Sequence, residues 1–368
     1  MQRKVAIIHD WLNGMRGGEK VLEALLEIFP DADIFTLFLE TENISETIKS
    51  HKIFPSSLNK YGFIRKHYKH FLPLFPAAIE DFDLKDYDIV ISSSHCVAKG
   101  VIPHPDALHI GYIHSPMRYA WDQYYAYFGK IKGLKKLYLK QQISRLRTWD
   151  AASSARVDYF AANSRFIRER IRRYYRREST VIHPPVDTEN FQPGANPTKD
   201  YFLTVSALAP YKKNDLLVEA FNRGGDRLII VGKGPEEKKL KRAAGKNIEF
   251  KKDVSREELV KLYQDAAAFV YAGVEDFGIV FVEAQACGIP IVAYKKGGVL
   301  DIVNEDSGIL FQHQTSADLL EAIKKIKKSD FNPSFIRQNS LQFSRQHFKQ
   351  NFKTYFEEII EKVKQEKA

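Results

Sequence analysis

Short apolar runs alternate with longer amphipathic segments along this chain. The run from Val5 to Ile8 is apolar throughout, a glycine pair at 17 and 18 follows, and apolar residues within 21–26 repeat at helical spacing. This order predicts a strand, a glycine loop and a helix. Runs that are apolar on successive residues are typical of parallel strands covered on both faces. The other predicted strands of the first half are Ile34 to Leu39, Asp88 to Ser92, Leu108 to Ile113 and Tyr159 to Ala162.

The second half of the chain repeats the alternation. Its predicted strands are Phe202 to Ser206, Arg227 to Val231, Ile248 to Phe250, Ala268 to Tyr271 and Pro290 to Ala293. Its predicted helices are Asn214 to Phe221, Glu236 to Ala244 and Arg256 to Ala266, with another helix between the last two strands. Repeated strand and helix units of this length predict a doubly wound α/β domain in each half.

Prolines and glycines break the pattern at residues 183–200, where we place the linker between domains. The prediction is an N-terminal Rossmann-like domain over 1–190 and a C-terminal one over 198–342. A helical segment over 343–368 is expected to cross back to the first domain. Two Rossmann-like domains that face each other leave a central cleft at the carboxyl ends of both sheets, where ligands of such folds bind.

Composition narrows the class of protein. The 368 residues suffice for two cores, and a hydrophobic fraction of 44% with 28% charged residues indicates an ordered globular chain. Cys96 and Cys287 both lie in apolar runs, which indicates buried reduced thiols in a cytoplasmic protein. Neither a signal-peptide pattern nor an apolar stretch of about 20 residues is present, so we expect at most peripheral membrane contact. A net charge of +10 favours an anionic partner of some kind.

The richest candidate chemistry lies in VYAGVEDFGIVFVEAQACGIPIVAY, residues 270–294. A strand ends there, a loop carries Glu275, and a helix whose first turn is Phe277, Gly278 and Ile279 follows. Free N–H groups at a helix start bind anions, and Gly278 has no side chain to block a diphosphate. Glu283 follows within the helix. Carboxylates beside an anion site suit a ligand with hydroxyls on both sides of a diphosphate. The alternative is that Glu283 is a solvated helix residue and that Glu275 only complements the helix dipole.

The stretch EDFGIVFVEAQACGIPIVA resembles the signature of family 4 glycosyltransferases of the GT-B fold. The resemblance implies a nucleotide-sugar donor held by the C-terminal half. It further implies that Glu275 contacts donor-sugar hydroxyls and that Glu283 contacts the nucleotide ribose.

Other segments of the C-terminal half are similar to the same family. In SALAPYKK, Lys212 takes the position of a lysine that neutralises the donor diphosphate, and Lys213 is the alternative cation. Many relatives carry an arginine where this chain has Ala207, so the site has one phosphate cation fewer. The resemblance places Gly232 of IIVGKGPEE beside the nucleotide and the backbone near Val254 against the base, although the latter is also an ordinary helix start.

The N-terminal half resembles the family as well. HDWLNGMRGGEKVLEAL places Gly17 and Gly18 where relatives contact donor phosphates or acceptor, although the pair also suits a tight turn. YIHSPMRYAWD places His114 near the transferred sugar, with a packed core histidine as the alternative. Taken together, these motifs are most similar to those of the O-antigen and polysaccharide mannosyltransferase branch. That branch implies GDP-mannose as donor and a glycan or polyprenyl-diphosphate-linked acceptor.

The family resemblance implies transfer with retention of the anomeric configuration. No carboxylate is a compelling nucleophile, so we favour same-face displacement in which the leaving diphosphate helps to deprotonate the acceptor. No DxD-type motif is found, so no metal or other cofactor is expected. The alternatives are a GT-B sugar-nucleotide epimerase and a noncatalytic basic protein that uses SRFIRERIRRYYRR, residues 164–177. A nucleic-acid binder does not need Glu275 and Glu283 beside a helix start, so we expect no nucleic-acid partner.

One further segment bears on location. Residues 130–147, KIKGLKKLYLKQQISRLR, carry seven basic residues from Lys130 to Arg147 and no acidic one, interleaved with leucines and a tyrosine. This composition is typical of a basic amphipathic segment on an anionic membrane surface, and equally of a solvated helix. With a lipid-linked acceptor, the expectation is a cytoplasmic protein bound peripherally to the inner face of the cell membrane.

Overall fold

The structure, a computed structural model, describes residues 3–129 and 131–367. Met1, Lys130 and Ala368, at which bounds of the predicted domains and of the basic segment fall, lie outside the described residues. The chain divides into two units. The first comprises the residues up to Pro185 together with the C-terminal segment from Phe348, and the second is Val186–His347.

The first unit contains a seven-stranded parallel sheet in the order β3-β2-β1-β4-β5-β6-β7. Its central strands are buried because helices cover both faces of the sheet. Its strands are β1 Val5–His9, β2 Asp33–Thr36, β3 Ile53–Pro55, β4 Ile89–Ser94, β5 Leu108–Ile113, β6 Tyr159–Ala162 and β7 Thr180–Val181.

The second unit contains a six-stranded parallel sheet in the order β10-β9-β8-β11-β12-β13. Its strands are β8 Tyr201–Val205, β9 Leu228–Val231, β10 Ile248–Lys251, β11 Ala266–Tyr271, β12 Ile291–Tyr294 and β13 Gly308–Phe311. In both sheets the strand order reverses direction beside the first strand, between β1 and β4 and between β8 and β11. Such a switch point opens a crevice at the carboxyl ends of the strands, where doubly wound folds bind ligands.

The helices connect and cover the strands. In the first half of the chain they are α1 Gly17–Ile28, α2 Glu46–Lys49, α3 Gly62–Lys66, α4 Phe75–Glu80, α5 Tyr124–Phe128, α6 Gly133–Ser153 and α7 Arg165–Tyr175. In the second half they are α8 Asn214–Gly224, α9 Glu237–Ala243, α10 Arg256–Asp265, α11 Ile279–Ala286, α12 Val299–Ile302, α13 Ser316–Ile326, α14 Pro333–Leu341 and α15 Arg345–Lys367. The hydroxyl of Ser255 accepts the N–H of Glu258 at 3.1 Å and thereby caps α10.

The predicted α/β fold with two Rossmann-like domains is confirmed, and the predicted strand bounds differ from the observed ones by a few residues at most. Strands β3, β7 and β13 were missed. Strand β3 lies at a sheet edge and includes Pro55, and β7 has two residues, so neither shows an extended apolar pattern. Strand β13 has four residues and starts at a glycine.

The C-terminal helix packs into the core of the first unit. Phe348 and Phe352 are buried, and their rings lie against that of Tyr112 on β5. Tyr355 and Ile359 extend the contact with the same cluster, in which the residues of β1 and α1 also pack. The first unit therefore takes part of its core from the end of the chain.

Helix α6 differs between its two ends. Its later turns bury Ile143 and Leu146 in the core of the first unit. Every residue from 132 to 138 is exposed, and Leu134 and Leu137 show 86% and 66% of their surface to solvent. The first two turns therefore project from the unit. No helix among the described residues is long and apolar enough to cross a membrane.

Candidate active site

The carboxyl edge of the second sheet holds a cation and a carboxylate at its switch point. Lys212 follows β8 and Glu275 follows β11, the two strands between which the order reverses. Nζ of Lys212 donates to Oε1 of Glu275, and the hydroxyl of Tyr271, the last residue of β11, donates to the same oxygen. Both charged side chains are 12–16% exposed. An ion pair this well shielded is screened less than a surface pair.

Glycines fix the loop that carries Glu275. Gly278 has φ +100°, and a Cβ there would overlap the ring of Phe281, so only glycine fits. Helix α11 consequently begins at Ile279, one or two residues later than predicted, with Gly278 as its cap. Gly297 and Gly298 approach the backbone of Glu275 to Phe277, and the N–H of Gly298 donates to the carbonyl of Glu275 at 2.9 Å. The glycine pair that follows β12 therefore holds the backbone of Glu275 in place.

Glu283 lies one turn into α11 and accepts a hydrogen bond from the hydroxyl of Tyr263 on α10 at 3.0 Å. Burial raises the pKa of Glu283 to about 7, and the hydrogen bond from Tyr263 and the charge of Arg256 only partly oppose this shift. Arg256 in turn pairs with Asp187. Glu283 is therefore neither a solvated residue nor part of a tight ion pair.

The remaining predicted residues of this half have identifiable structural roles. A Cβ on Gly232 would overlap the carbonyl of Ser206, so the loop after β9 passes directly against the loop after β8. Lys213 adopts a left-handed conformation at φ 58° and is the cap residue of α8. Val254 is partly buried in the turn before α10. The side chain of Phe277 is buried against Phe343, so only its backbone can serve a ligand.

The first unit places a second polar group at the carboxyl edge of its sheet. His114 follows β5, and its Nε2 lies 2.8 Å from Oγ of Ser93, whose Oγ lies 3.1 Å from Nδ1 of His9. Burial lowers the pKa of His114 to about 3, and the neighbouring rings of His95 and His9 add to the effect, so the ring of His114 is neutral at physiological pH. A Cβ on Gly18 would lie 3.3 Å from the ring of His9 and 3.8 Å from Nε2 of His114.

Two predicted groups are thus brought together within their own units. Glu275 and Lys212 meet at one switch point, and Gly18 and His114 meet beside His9; Gly17 is the first residue of α1. Tyr271, Tyr263, His9 and Ser93 were not predicted as site residues. A signal existed for Tyr271, since it is a hydroxyl-bearing residue at the end of a buried strand four positions before Glu275. The pairing of Tyr263 with Glu283 joins two helices and has no local signal.

Comparisons with known families agree with this division. Residues 16–190 match the model of Glycosyltransferase Family 4, and residues 185–343 match that of Glycosyl transferases group 1. The two matches together run from residue 16 to residue 343, which leaves only the chain ends outside. The first half of the chain thus matches Glycosyltransferase Family 4 and the second half matches Glycosyl transferases group 1, in agreement with the resemblance seen in the sequence.

Curated relatives match shorter regions. A probable sucrose-phosphate synthase of Thermosipho melanesiensis is 33% identical over 172 residues, which cover 40% of this chain and 39% of the relative. The GDP-mannose-dependent monoacylated alpha-(1-6)-phosphatidylinositol monomannoside mannosyltransferase of Corynebacterium glutamicum is 28% identical over 189 residues, 42% of this chain and 49% of the relative. The chain thus spans less than half the length of these relatives, whose reactions differ.

Solved structures share the whole fold. The lipopolysaccharide outer core galactosyltransferase WaaB, in its apo form, superposes with a TM-score of 0.67 at 18% identity, over 95% of this chain and 98% of that chain. The sucrose-phosphate synthase of Thermosynechococcus elongatus superposes with a TM-score of 0.72 at 17% identity, over 98% and 99%. At these identities the likeness establishes the GT-B fold, and the choice of sugar and acceptor varies among such proteins.

Proposed function

We propose that this protein transfers a hexose, with retention of configuration, from a nucleotide diphosphate sugar to a polysaccharide or polyprenyl-diphosphate-linked acceptor. The observation that carries the proposal is the pair of Lys212 and Glu275 at the switch point of the second sheet, beside the start of α11. GDP-mannose is the proposed donor. This choice of donor is supported by the sequence motifs of the N-terminal half and by similarity to a GDP-mannose-dependent mannosyltransferase.

Binding of the donor breaks the ion pair between Lys212 and Glu275. Its diphosphate takes over Nζ of Lys212, and Oε1 of Glu275 then accepts hydrogen bonds from sugar hydroxyls while Tyr271 continues to hold it. The backbone from Phe277 to Ile279 contributes its N–H groups to the diphosphate. Lys213 is the second cation within reach along the same loop.

The nucleoside end of the donor is assigned to the neighbouring segments. Glu283, once ionised, accepts hydrogen bonds from the ribose hydroxyls. The backbone at Gly232 and Val254 lies against the nucleotide and its base. These contacts are similar in ground state and transition state, so they serve affinity rather than turnover.

The transfer step needs no protein nucleophile. The bond between the anomeric carbon and the diphosphate oxygen breaks, and its electron pair stays on that oxygen. The acceptor hydroxyl attacks the same face of the sugar, and its proton passes to the departing diphosphate. Lys212 and the start of α11 stabilise the charge that develops on the leaving group.

Residues of the first unit are also assigned roles. His114 is neutral and hydrogen-bonded to Ser93, so it serves as a fixed dipole near the transferred sugar rather than as a charged acid. Gly17 and Gly18 let the donor phosphates or the acceptor approach the start of α1 without a side chain in the way.

The projecting turns of α6 are the proposed contact with the membrane. Leu134 and Leu137 are exposed beside Lys132, Lys135 and Lys136, and no acidic residue lies in this stretch. Basic and apolar side chains together bind an anionic lipid surface. The protein would then work at the cytoplasmic face of the cell membrane, where lipid-linked acceptors are held.

A panel of donors tests the function. The thermal midpoint is measured with GDP-, UDP- and ADP-sugars, and turnover of the stabilising donor is then followed by NMR, which also reads the anomeric configuration of the product. We expect GDP-mannose to stabilise the protein most and the product to keep the α configuration. Glu275→Ala is the inactive control. A panel without any stabilising donor, an inverted product or a free epimerised sugar nucleotide would contradict the proposal.

A further inference from the structure

Asp10 and His95 form a side-chain pair at the switch point of the first sheet. Asp10 follows β1 and is fully buried, and its carboxylate accepts the backbone N–H groups of His95, Cys96, Val97 and Ala98 at 2.6–2.9 Å. Its Oδ2 also lies 3.1 Å from Nδ1 of His95. Burial opposes ionisation of Asp10, but its interactions with His95 and the hydrogen bonds from the backbone outweigh it and hold the pKa of Asp10 well below its usual range.

The pair fixes the tautomer of His95. A carboxylate can only accept hydrogen bonds, so Nδ1 of His95 carries a proton, and in this tautomer Nε2 is the acceptor. The ring also packs edge-on against Trp11, with centroids 4.4 Å apart and planes at 88°. Its orientation is therefore held from two sides before any ligand arrives.

His95 differs from the other histidines at this edge. His9 and His114 both use a ring nitrogen on Ser93 and are largely enclosed, and His109 uses both of its ring nitrogens internally. The side chain of His95 is 34% exposed, and no described residue hydrogen-bonds to its Nε2. An oriented, solvent-facing acceptor is a feature of a binding site rather than of a core.

The position of Asp10 and His95 in the first sheet matches that of Lys212 and Glu275 in the second sheet. Lys212 and Glu275 follow the two strands of one switch point, and Asp10 and His95 follow β1 and β4, the two strands of the other. The pair of Lys212 and Glu275 offers a cation and a carboxylate for a charged, hydroxylated donor. The pair of Asp10 and His95 offers Nε2 as an acceptor, which suits a hydroxyl group rather than a phosphate.

We propose that His95, held by Asp10, accepts a hydrogen bond through Nε2 from a hydroxyl group of the acceptor sugar. This inference rests on the proposed transfer reaction and adds the group that the acceptor meets in the first unit. His95 positions the hydroxyl and does not take its proton. Asp10 acts only through His95.

Competition between two acceptors tests the inference. The probes are methyl α-mannoside and water, and the readout is the ratio of sugar transfer to donor hydrolysis with one donor. We expect His95→Ala to lower this ratio about tenfold, as the loss of one hydrogen bond predicts, and His95→Gln to restore part of it because its amide oxygen accepts hydrogen bonds. His104→Ala is the matched control, since His104 is an exposed histidine of the same unit that pairs only with Asp106.

The outcomes separate the two proposals. If His95→Ala leaves the ratio at the wild-type value, or if the wild type hydrolyses donor without any transfer to methyl α-mannoside, the role of His95 is wrong and the transferase proposal stands. If the wild type turns over no donor, the transferase proposal fails. ¹⁵N NMR of the wild type then decides about His95: we expect an Nδ1–H tautomer and a shift of the Nε2 resonance on addition of methyl α-mannoside. An unshifted resonance would overturn the inference.

Discussion

Lys212 and Glu275 are hydrogen-bonded to each other in the donor unit, with the hydroxyl of Tyr271 on the same carboxylate oxygen. The sequence resemblance gave these two residues separate tasks, one at the diphosphate and one at the sugar. Their pairing explains how both charges are kept at a shielded edge of the sheet before a donor binds. It also requires that the donor replace an existing ion pair, so affinity reflects a difference between two sets of contacts.

The two adjacent lysines are expected to behave differently. Lys212 is 12% exposed and bound to Glu275, whereas Lys213 caps α8. Lys212→Met should lower kcat/KM by about 100-fold or more because the leaving diphosphate loses its cation, and Lys213→Met should lower it by less than about fivefold. Steady-state kinetics with the preferred donor measure both. Equal losses in the two variants would assign the diphosphate contact to the wrong lysine or to both.

Tyr271→Phe should lower kcat while the fold is kept. The ring packs between Phe269 and Phe281, and those contacts remain, but Glu275 loses one of its two donors. We expect a decrease in kcat of about three- to tenfold. Tyr201→Phe is the matched control, since it removes a buried hydroxyl that donates only to the carbonyl of Leu262 in the same unit. A similar loss of kcat in the control would point to a general effect of hydroxyl removal.

Glu283 gives donor binding a dependence on pH. Its pKa is raised by burial to about 7, so the carboxylate that accepts ribose hydroxyls is lost as pH falls through that value. We expect the KM for the donor to rise below about pH 7 in the wild type and to be high and flat with pH in Glu283→Gln. A wild-type KM that does not change between about pH 8 and about pH 5.5 would contradict the assignment.

The same residue affects stability in a defined direction. A carboxyl group whose folded pKa exceeds its unfolded value stabilises the protein at low pH, and this contribution is lost as pH rises through the folded pKa. Glu283→Gln should therefore raise the thermal midpoint at about pH 8 and change it little at about pH 5. Thermal melts of the apo protein at both values check the sign.

Gly278→Ala should destabilise the protein through two effects. The left-handed φ of +100° disfavours any side chain, and a Cβ would overlap the ring of Phe281. We expect a loss of about 2–4 kcal/mol in the free energy of unfolding, together with displacement of Glu275 and loss of activity. Gly225→Ala separates the effects, since φ there is +78° with no atom within 4 Å of the added Cβ. It should cost only about 1 kcal/mol.

Vesicle binding tests the projecting turns of α6. Co-sedimentation with anionic vesicles should be strong at low salt and weak at high salt, because each basic residue contributes about 1 kcal/mol near such a surface. Changing Lys132, Lys135 and Lys136 to Glu should abolish it. The same changes at Lys324, Lys325 and Lys328, which lie at the end of α13 and just after it in the other unit, form the charge-matched control. Equal losses would mean that net charge, rather than this segment, binds the vesicles.

The sequence by itself determined the fold class and most of the strands. Strands such as β5 and β6 were placed at their observed bounds because buried parallel strands are apolar on every residue, a local property that the sequence displays directly. The stretch around Glu275 was likewise visible, because glycine at a helix start and a nearby carboxylate are adjacent in the chain.

Only the tertiary structure decided which side chains meet. Lys212 and Glu275 are 63 positions apart, and Asp10 and His95 are 85 apart, and in each case the sheet order brings two separate strands together at their carboxyl ends. The burial that raises the pKa of Glu283 is likewise a property of the folded chain, in which Glu283 meets Tyr263 of another helix. Periodicity reports the environment of each residue along its own element. Partners across a parallel sheet depend on strand order, which no local pattern encodes.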